Sequence, residues 1–231
     1  MTTGFFGALL LAALLNLDRQ AVAQFGLARP IVTGALMGLF TGQVTIGLNL
    51  GFWTELLWLT RPPLGGHVSP NGGLAVSSAI LGALLLGENL PPERLAGASV
   101  LLFAVVIPLA HLLTNIETVT RGYSLVWTKN FKEAISSLRS PSALSFQLRG
   151  VALVMLLGFI SAIMGAVIFG LYLKLCLAYL PELCWVPLTR FAPLAPLIGI
   201  ATMTERLNRL HAIVFLIFFV ISLIVLRSTA S

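Results

Sequence analysis

The chain is a series of apolar runs separated by short polar breaks. Residues 4–17 are apolar and end in Asp18-Arg19-Gln20; residues 21–28 are mixed, and Arg29-Pro30 closes them. This first run is about two-thirds of the ~20 residues that cross a bilayer as a helix. It predicts either a broken or re-entrant helix or an ordinary first span with a polar C-terminal end. Residues 31–40 follow Pro30, a good first-turn residue. Gly34, Gly38 and Gly42 recur every four positions, a ridge that lets helices approach closely in lipid, and Thr41-Gly42-Gln43 predicts a turn. The next run, from Gly47, stops at Arg61-Pro62-Pro63, before a Gly- and Pro-rich segment carrying His67, Ser69 and Asn71. Residues 72–86 are again apolar, rich in small side chains and shorter than a full span.

The second part of the chain follows a different rhythm. Residues 87–94 predict a loop, and 98–113 a span interrupted by Pro108. Residues 114–150 are the least hydrophobic stretch. Glu117, Arg121, Lys129, Lys132, Glu133, Arg139 and Arg149 are mixed there with Tyr123, Trp127, Phe131 and Ile135. That mixture predicts one or two amphipathic helices along the interface. Five basic residues against two acidic ones predict that this loop is cytoplasmic. Residues 151–180 are the longest apolar run, more than one simple span needs, and Leu180-Pro181-Glu182 breaks it. Residues 185–203 hold Pro187, Pro193 and Pro196, a density that predicts kinked or hairpin structure. A charged turn at 204–209 and a final apolar span at 211–226 complete the chain. The expected organisation is an N-terminal membrane half, 1–113, an amphipathic cytoplasmic linker, 114–150, and a C-terminal membrane half, 151–231.

Composition sharpens the class. Of 231 residues, 58% are hydrophobic and 10% charged, with a mean hydropathy of +0.98. A soluble domain carries about 25% charged residues, so this is an integral membrane protein. The runs lack the strict alternation of a β-barrel, and the expected fold is an all-α polytopic membrane protein combining spanning helices with short re-entrant or broken ones. The net charge of +6 does not indicate nucleic acid, because the basic residues are sparse and sit in loops and at segment ends. The apolar N-terminus lacks a basic n-region and reads as mature structure. Cys176 and Cys184 read as buried thiols, with no CxxC or Cys/His cluster to suggest a disulfide or a metal.

One residue carries candidate chemistry by its placement alone. Glu55 lies inside an apolar run, and as a helix Gly47, Gly51 and Glu55 share one face. An ionisable group at membrane depth points to a functional site. The alternative is a Glu paired internally with an Arg or held by backbone amides. Trp53 and Trp58 flank it, either as interface markers or as faces on which a sugar ring could stack. Short, Gly- or Pro-interrupted segments in both halves point to a transporter with discontinuous helices and a site near the midplane, although no residue-level repeat relates the halves.

Three stretches together resemble a known family. They are LDRQAVAQFGLARP at 17–30, the glycine block running into WTELLWL at 53–59, and Gly65-Gly66 followed by Ser69-Pro70-Asn71. They resemble the IIC membrane subunit of the mannose–fructose–sorbose family of the bacterial phosphotransferase system, as do Leu180-Pro181-Glu182 and Gly199 ahead of Met203 in the later part. The resemblance implies a multi-pass protein of the bacterial cytoplasmic (inner) membrane that imports a hexose, amino sugar or related carbohydrate. It implies a IID membrane partner, soluble IIA and IIB phosphocarriers, oligomeric assembly, and an elevator-like movement of re-entrant hairpins. The family's buried glutamate matches Glu55. The family usually has Pro-Asp where this chain has Pro70-Asn71; Asn keeps hydrogen-bonding capacity and loses a charge.

Sugar chemistry suits these residue types. A carboxylate accepts two hydrogen bonds from adjacent hydroxyls, and Asn and Gln both donate and accept. The candidate substrate-binding residues are Glu55 and Asn71, supported by Ser69, Gln20 and Gln24, with Trp53 as a stacking surface. None of His67, His111 or His211 has a neighbouring acid at motif spacing, so the subunit is expected to carry no phosphohistidine, no catalytic residue and no cofactor or metal. Two other functions fit the same residues: a proton-coupled secondary transporter with Glu55 as proton carrier, and a non-transporting membrane scaffold or receptor.

Overall fold

A computed structural model describes residues 2–21, 24–58, 68–87, 90–136 and 143–197. Every regular element among them is helical. In order they are α1 (Thr2–Gln20), α2 (Pro30–Thr41), α3 (Val44–Trp58), α4 (Gly72–Leu85), α5 (Pro92–Ser136), α6 (Ala143–Tyr179) and α7 (Glu182–Phe191), followed by a 3-10 turn at Ala192–Leu194. The Arg61-Pro62-Pro63 break, Gly65, Gly66 and His67, and everything from 198 onward, including Gly199, Met203 and the expected final span, lie outside the described residues.

Helix length divides the molecule. At 1.5 Å per residue, α5 and α6, with 45 and 37 residues, run about 68 and 55 Å. Both contain stretches long and apolar enough to cross a membrane, Arg94–Glu133 and Ala143–Tyr179. By contrast α2, α3 and α4, with 12, 15 and 14 residues, reach only about 18–22 Å, short of a ~30 Å hydrocarbon core. Of the two runs that the hydrophobic pattern predicts to be shorter than a span, 72–86 forms the short α4, whereas 4–17 lies within α1, a continuous helix of 19 residues that takes in Asp18, Arg19 and Gln20.

Glycine explains why the short helices can pack. Pro30 opens α2, and Gly42 closes it at φ 77°. The chain then reverses through Gln43 into α3, so α2 and α3 form a hairpin. Gly34 and Gly38 of α2 face Gly47 and Gly51 of α3. A Cβ on Gly34 would stand 2.8 Å from the Gly51 Cα, and one on Gly47 would stand 2.9 Å from the Gly38 Cα. The backbones therefore touch, and only glycine permits it. The face shared by Gly47, Gly51 and Glu55 receives the backbone of α2.

Helix α4 is the centre. Every residue from Gly72 to Ala83 is buried, as expected for a helix apolar on all sides. It packs on α6, where a Cβ on Gly82 would collide with Phe169, and one on Gly165 would collide with Ser78. Helices α1, α2 and α5 close around it. Large apolar side chains such as Leu10, Leu14, Leu39, Phe52, Leu156 and Leu171 point outward, the distribution of a surface bathed in lipid rather than water.

Within the 114–150 stretch, the described residues belong to the two long helices. Residues 114–136 continue α5 without a break, and 143–150 open α6. No proline interrupts 114–136, and the backbone ladder simply runs on past the apolar part of the helix. The two extensions meet again through Phe131 and Phe146, whose ring centroids are 4.8 Å apart. Pro108 likewise sits inside α5 without ending it. At the other end α7 packs on the start of α5, where Arg94 bridges to Glu182 at 2.5 Å and lies over the Trp185 ring.

Candidate functional site

The site grows from the start of α4. A helix beginning inside a packed bundle has N–H groups without intrahelical partners. Asn71 supplies the cap: its side-chain oxygen accepts from the Leu74 N–H at 3.2 Å. Its own backbone N–H donates to the Ala110 carbonyl at 3.2 Å and to Thr114 Oγ1 at 2.9 Å on α5. Its side-chain amide then reaches two further helices. Nδ2 donates to Asn16 Oδ1 of α1 at 3.0 Å and to Glu117 Oε2 of α5 at 3.4 Å. Asn71, Asn16 and Glu117 are 1%, 5% and 2% exposed, so this is a buried polar junction of three helices.

Charge is concentrated at Glu117. Its Oε2 accepts from Arg19 Nε at 2.8 Å, and its Oε1 from Arg121 Nη2 at 2.6 Å. Arg19 also donates through Nη2 to the Ser69 carbonyl oxygen and lies 3.5 Å from Ser69 Oγ. Arg19 thereby ties the segment leading into α4 to α1 and α5. One carboxylate is shared by two guanidiniums, leaving one net positive charge. The Arg19 side chain is mostly buried, while half of the Arg121 side chain is exposed.

Two spaces adjoin the junction. A small pocket of about 20 Å³ is bounded by Asn16, Gln20, Asn71, Glu117, Thr120 and Ser161, among others, with room for about one water molecule. Beyond it an open groove of about 700 Å³ runs between the C-terminal part of α5 and the start of α6, with Arg19, Gln20, Gln24, Arg121, Trp127 and Gln147 in its wall. Gln20 and Val154 border both spaces.

The structure brings some of the predicted residues together and separates others. Asn71 lies in the junction, Ser69 is tied to it through Arg19, and Gln20 lines the small pocket beside it. Gln24 lines the groove from the turn between α1 and α2, at φ 54°. That turn is shaped by Asp18, whose carboxylate accepts from the backbone N–H groups of Phe25 at 2.7 Å and Ala28 at 3.3 Å. Glu55 and Trp53 border neither space. Glu55 accepts both Nε, at 2.8 Å, and Nη2 of Arg29, and its other oxygen lies 3.4 Å from the Ile31 N–H at the start of α2. It thus has the Arg partner and the backbone amide of the internal-pairing alternative, and it sits where a helix N-terminus favours negative charge. Trp53 is buried, with its ring edge-on to Phe103 at 5.7 Å. His111 stands edge-on to Trp58 at 6.2 Å. Cys176 and Cys184 are free thiols.

Sequence reasoning missed Asn16, Arg19, Thr114, Glu117, Arg121 and Ser161. Two signals were available. Glu117 and Arg121 are four apart and so pair on one helix face, and Asn16 is a polar side chain inside an apolar run.

The arrangement defines a class: an all-helical membrane protein in which short internal helices present a buried polar junction beside an open basic groove. Comparison with known proteins places it further. The model of the family described as "PTS system sorbose-specific iic component" matches residues 5–229, and the chain belongs to that family. An Escherichia coli (strain K12) protein described as "Putative N-acetylgalactosamine permease IIC component 2" is 32% identical over 79 residues. That match spans 34% of this chain and 57% of the relative's length. A solved structure described as "Structure of membrane protein" superposes with a TM-score of 0.62 at 18% identity, covering 100% of this chain and 94% of that one. It supports the helical membrane fold.

Proposed function

We propose that this chain is the sugar-translocating subunit of a phosphoenolpyruvate-dependent phosphotransferase system, a multi-pass protein of the bacterial cytoplasmic membrane that binds a hexose or amino sugar at the Asn71 junction. Family membership supports the general role. The observation that carries the site is the buried Asn71 amide, held between Asn16 and Glu117 at the start of a helix buried on all sides. Amide and carboxylate side chains in a dry bundle discriminate sugars strongly, since an unmatched hydroxyl leaves a buried partner unsatisfied. Glu117 places a carboxylate beside Asn71, in a chain that has Asn where relatives usually have Asp. Glu55 then acts by holding the α2–α3 hairpin to the turn at Arg29, not by touching sugar.

A pocket of about 20 Å³ does not admit a hexose. Sugar enters as α1, α4 and α5 part, and the Arg19 links to Ser69 and Glu117 are the contacts that must yield. The basic 114–136 extension of α5 faces the cytoplasm in this reading, so the groove is the exit toward a IIB protein charged by IIA. A IID subunit and oligomeric assembly complete the transporter. The subunit itself carries no phosphohistidine.

The test is sugar binding to the purified complex with its IID partner, wild type against Asn16→Ala, with folding followed by thermal unfolding. Loss of a hydrogen-bonding side chain from the junction is expected to weaken binding about tenfold. A normally folded Asn16→Ala variant with undiminished binding removes the junction from the site. Uptake that continues without phosphoenolpyruvate but collapses with a proton uncoupler identifies a secondary transporter instead.

A further inference from the structure

The groove beside the junction has a chemistry of its own, which the binding of a neutral sugar does not use. Its wall carries Arg19 and Arg121, the amides of Gln20, Gln24 and Gln147, and the Trp127 indole, with no acidic side chain among its lining residues. The carboxylate paired with both guanidiniums, Glu117, is 2% exposed. It neutralises one of the two guanidiniums and leaves the other charge facing the open space. Arg121 is the more accessible cation: it donates to Glu117, and half of its side chain is exposed. At about 700 Å³ the groove is large enough for a sugar-sized ligand, where the small pocket is not.

We infer that this groove binds a phosphate monoester, with Arg121 and Arg19 on the phosphoryl oxygens and the glutamine amides on the remaining acceptors. A dianion beside one uncompensated guanidinium is favourable, and an Arg fork matches phosphate oxygens in pairs. Resting on the function proposed above, the ester is the phosphorylated sugar after it leaves the Asn71 pocket. Gln20, which borders both spaces, lies on the path between them. The groove then holds product at the membrane surface and disfavours its return into a pocket whose own carboxylate repels it.

A phosphate monoester can also be a lipid headgroup, and the experiment separates the sources. The full chain, in complex with its IID partner, is reconstituted in nanodiscs of phosphatidylcholine and titrated by calorimetry with inorganic phosphate and with a panel of hexose 6-phosphates and their parent sugars. Expected is binding of inorganic phosphate and tighter binding of at least one hexose 6-phosphate, both weakened about tenfold or more by Arg121→Gln and by raising salt from 0.05 to 0.5 M. Arg121→Lys, which keeps the charge and loses the fork, is expected to recover part of the affinity. A second arm uses nanodiscs containing phosphatidic acid. If the lipid abolishes phosphate binding and no hexose phosphate competes it away, the ligand is a headgroup and the assignment to product is overturned. If parent sugars bind while neither phosphate nor any hexose phosphate does, the groove proposal fails and the transport reading stands. If phosphate and hexose phosphates bind with Arg121 dependence but no parent sugar does, the groove stands and the Asn71 site fails.

Discussion

Consider Gly47→Ala, one methyl added where α3 crosses α2. The new Cβ would lie 2.9 Å from the Gly38 Cα and 3.2 Å from its nitrogen, and closer still to the Gly34 carbonyl oxygen. Non-bonded carbons rest at about 3.5–4.0 Å, so the backbones must separate by roughly 0.6–1 Å, with no flexible side chain available to give way. Overpacking of this kind costs about 1–3 kcal/mol, and backbone against backbone belongs at the upper end. Gly122→Ala provides the control. It is also a helical glycine, in α5, but its Cβ would meet nothing within 4 Å. There the helix gains by up to about 1 kcal/mol from replacing glycine. The two variants should therefore differ by about 2–4 kcal/mol, or roughly 4–16 °C in Tm for a chain of this size. Thermal unfolding in mild detergent, read by a thiol-reactive dye at the buried Cys176 in a Cys184→Ser background, measures this. A Gly47→Ala protein as stable as Gly122→Ala would refute the close crossing and, with it, the α2–α3 hairpin.

Three other expectations concern the polar residues. Asn71→Asp replaces an amide that donates to Asn16 Oδ1 and Glu117 Oε2 with an acceptor facing two acceptors. The variant should melt below wild type, because two buried contacts are lost and no donor replaces them; an unchanged Tm would contradict the contact. Glu55→Gln, beside an Arg29 whose side chain is 57% exposed, should cost no more than about 1 kcal/mol and leave sugar affinity within twofold; a loss of tenfold or more would return Glu55 to the binding site. A Lys129→Cys protein in intact cells should react with membrane-permeant thiol reagents alone, and labelling by an impermeant reagent from outside would reverse the orientation.

The elements were more legible than the site. Glycine spacing showed the ridge of α2, Pro30 and Gly42 marked its ends, and the short runs appeared as the short helices α2 and α4 because their apolar stretches are bounded by breakers. Glu55 stood out because a carboxylate in an apolar run is conspicuous, and the Arg that pairs with it, Arg29, is 26 positions away. Glu117 did not stand out, because it opens a stretch of mixed charges that looks like a surface linker. What makes it a buried group is Arg19, 98 positions away, and Asn71, 46 positions away. Periodicity reports the face of a residue's own helix. It carries nothing about which distant side chain meets that face, and a junction of three helices is defined wholly by such meetings.

The position of that junction follows from the cost of charge. A carboxylate alone in the dry bundle is costly, whereas one between two guanidiniums, one of them reaching the open groove, keeps part of its field in contact with water. Glu117 therefore belongs at the boundary between packed helices and groove, and it lies just past the apolar part of α5. The start of α4 comes to the same level because α4, about 21 Å long, is too short to pass through. Its N-terminal dipole adds to the attraction for Glu117. Shortening a buried helix thus creates two things at once: unsatisfied amides that require Asn71, and a positive end that favours a carboxylate. Lengthening the apolar run at 72–86 without moving Asn71 would leave both intact. Moving the start of α4 by one turn would strand Glu117 between its arginines with no link to Asn71, and binding would be lost while both long helices persist.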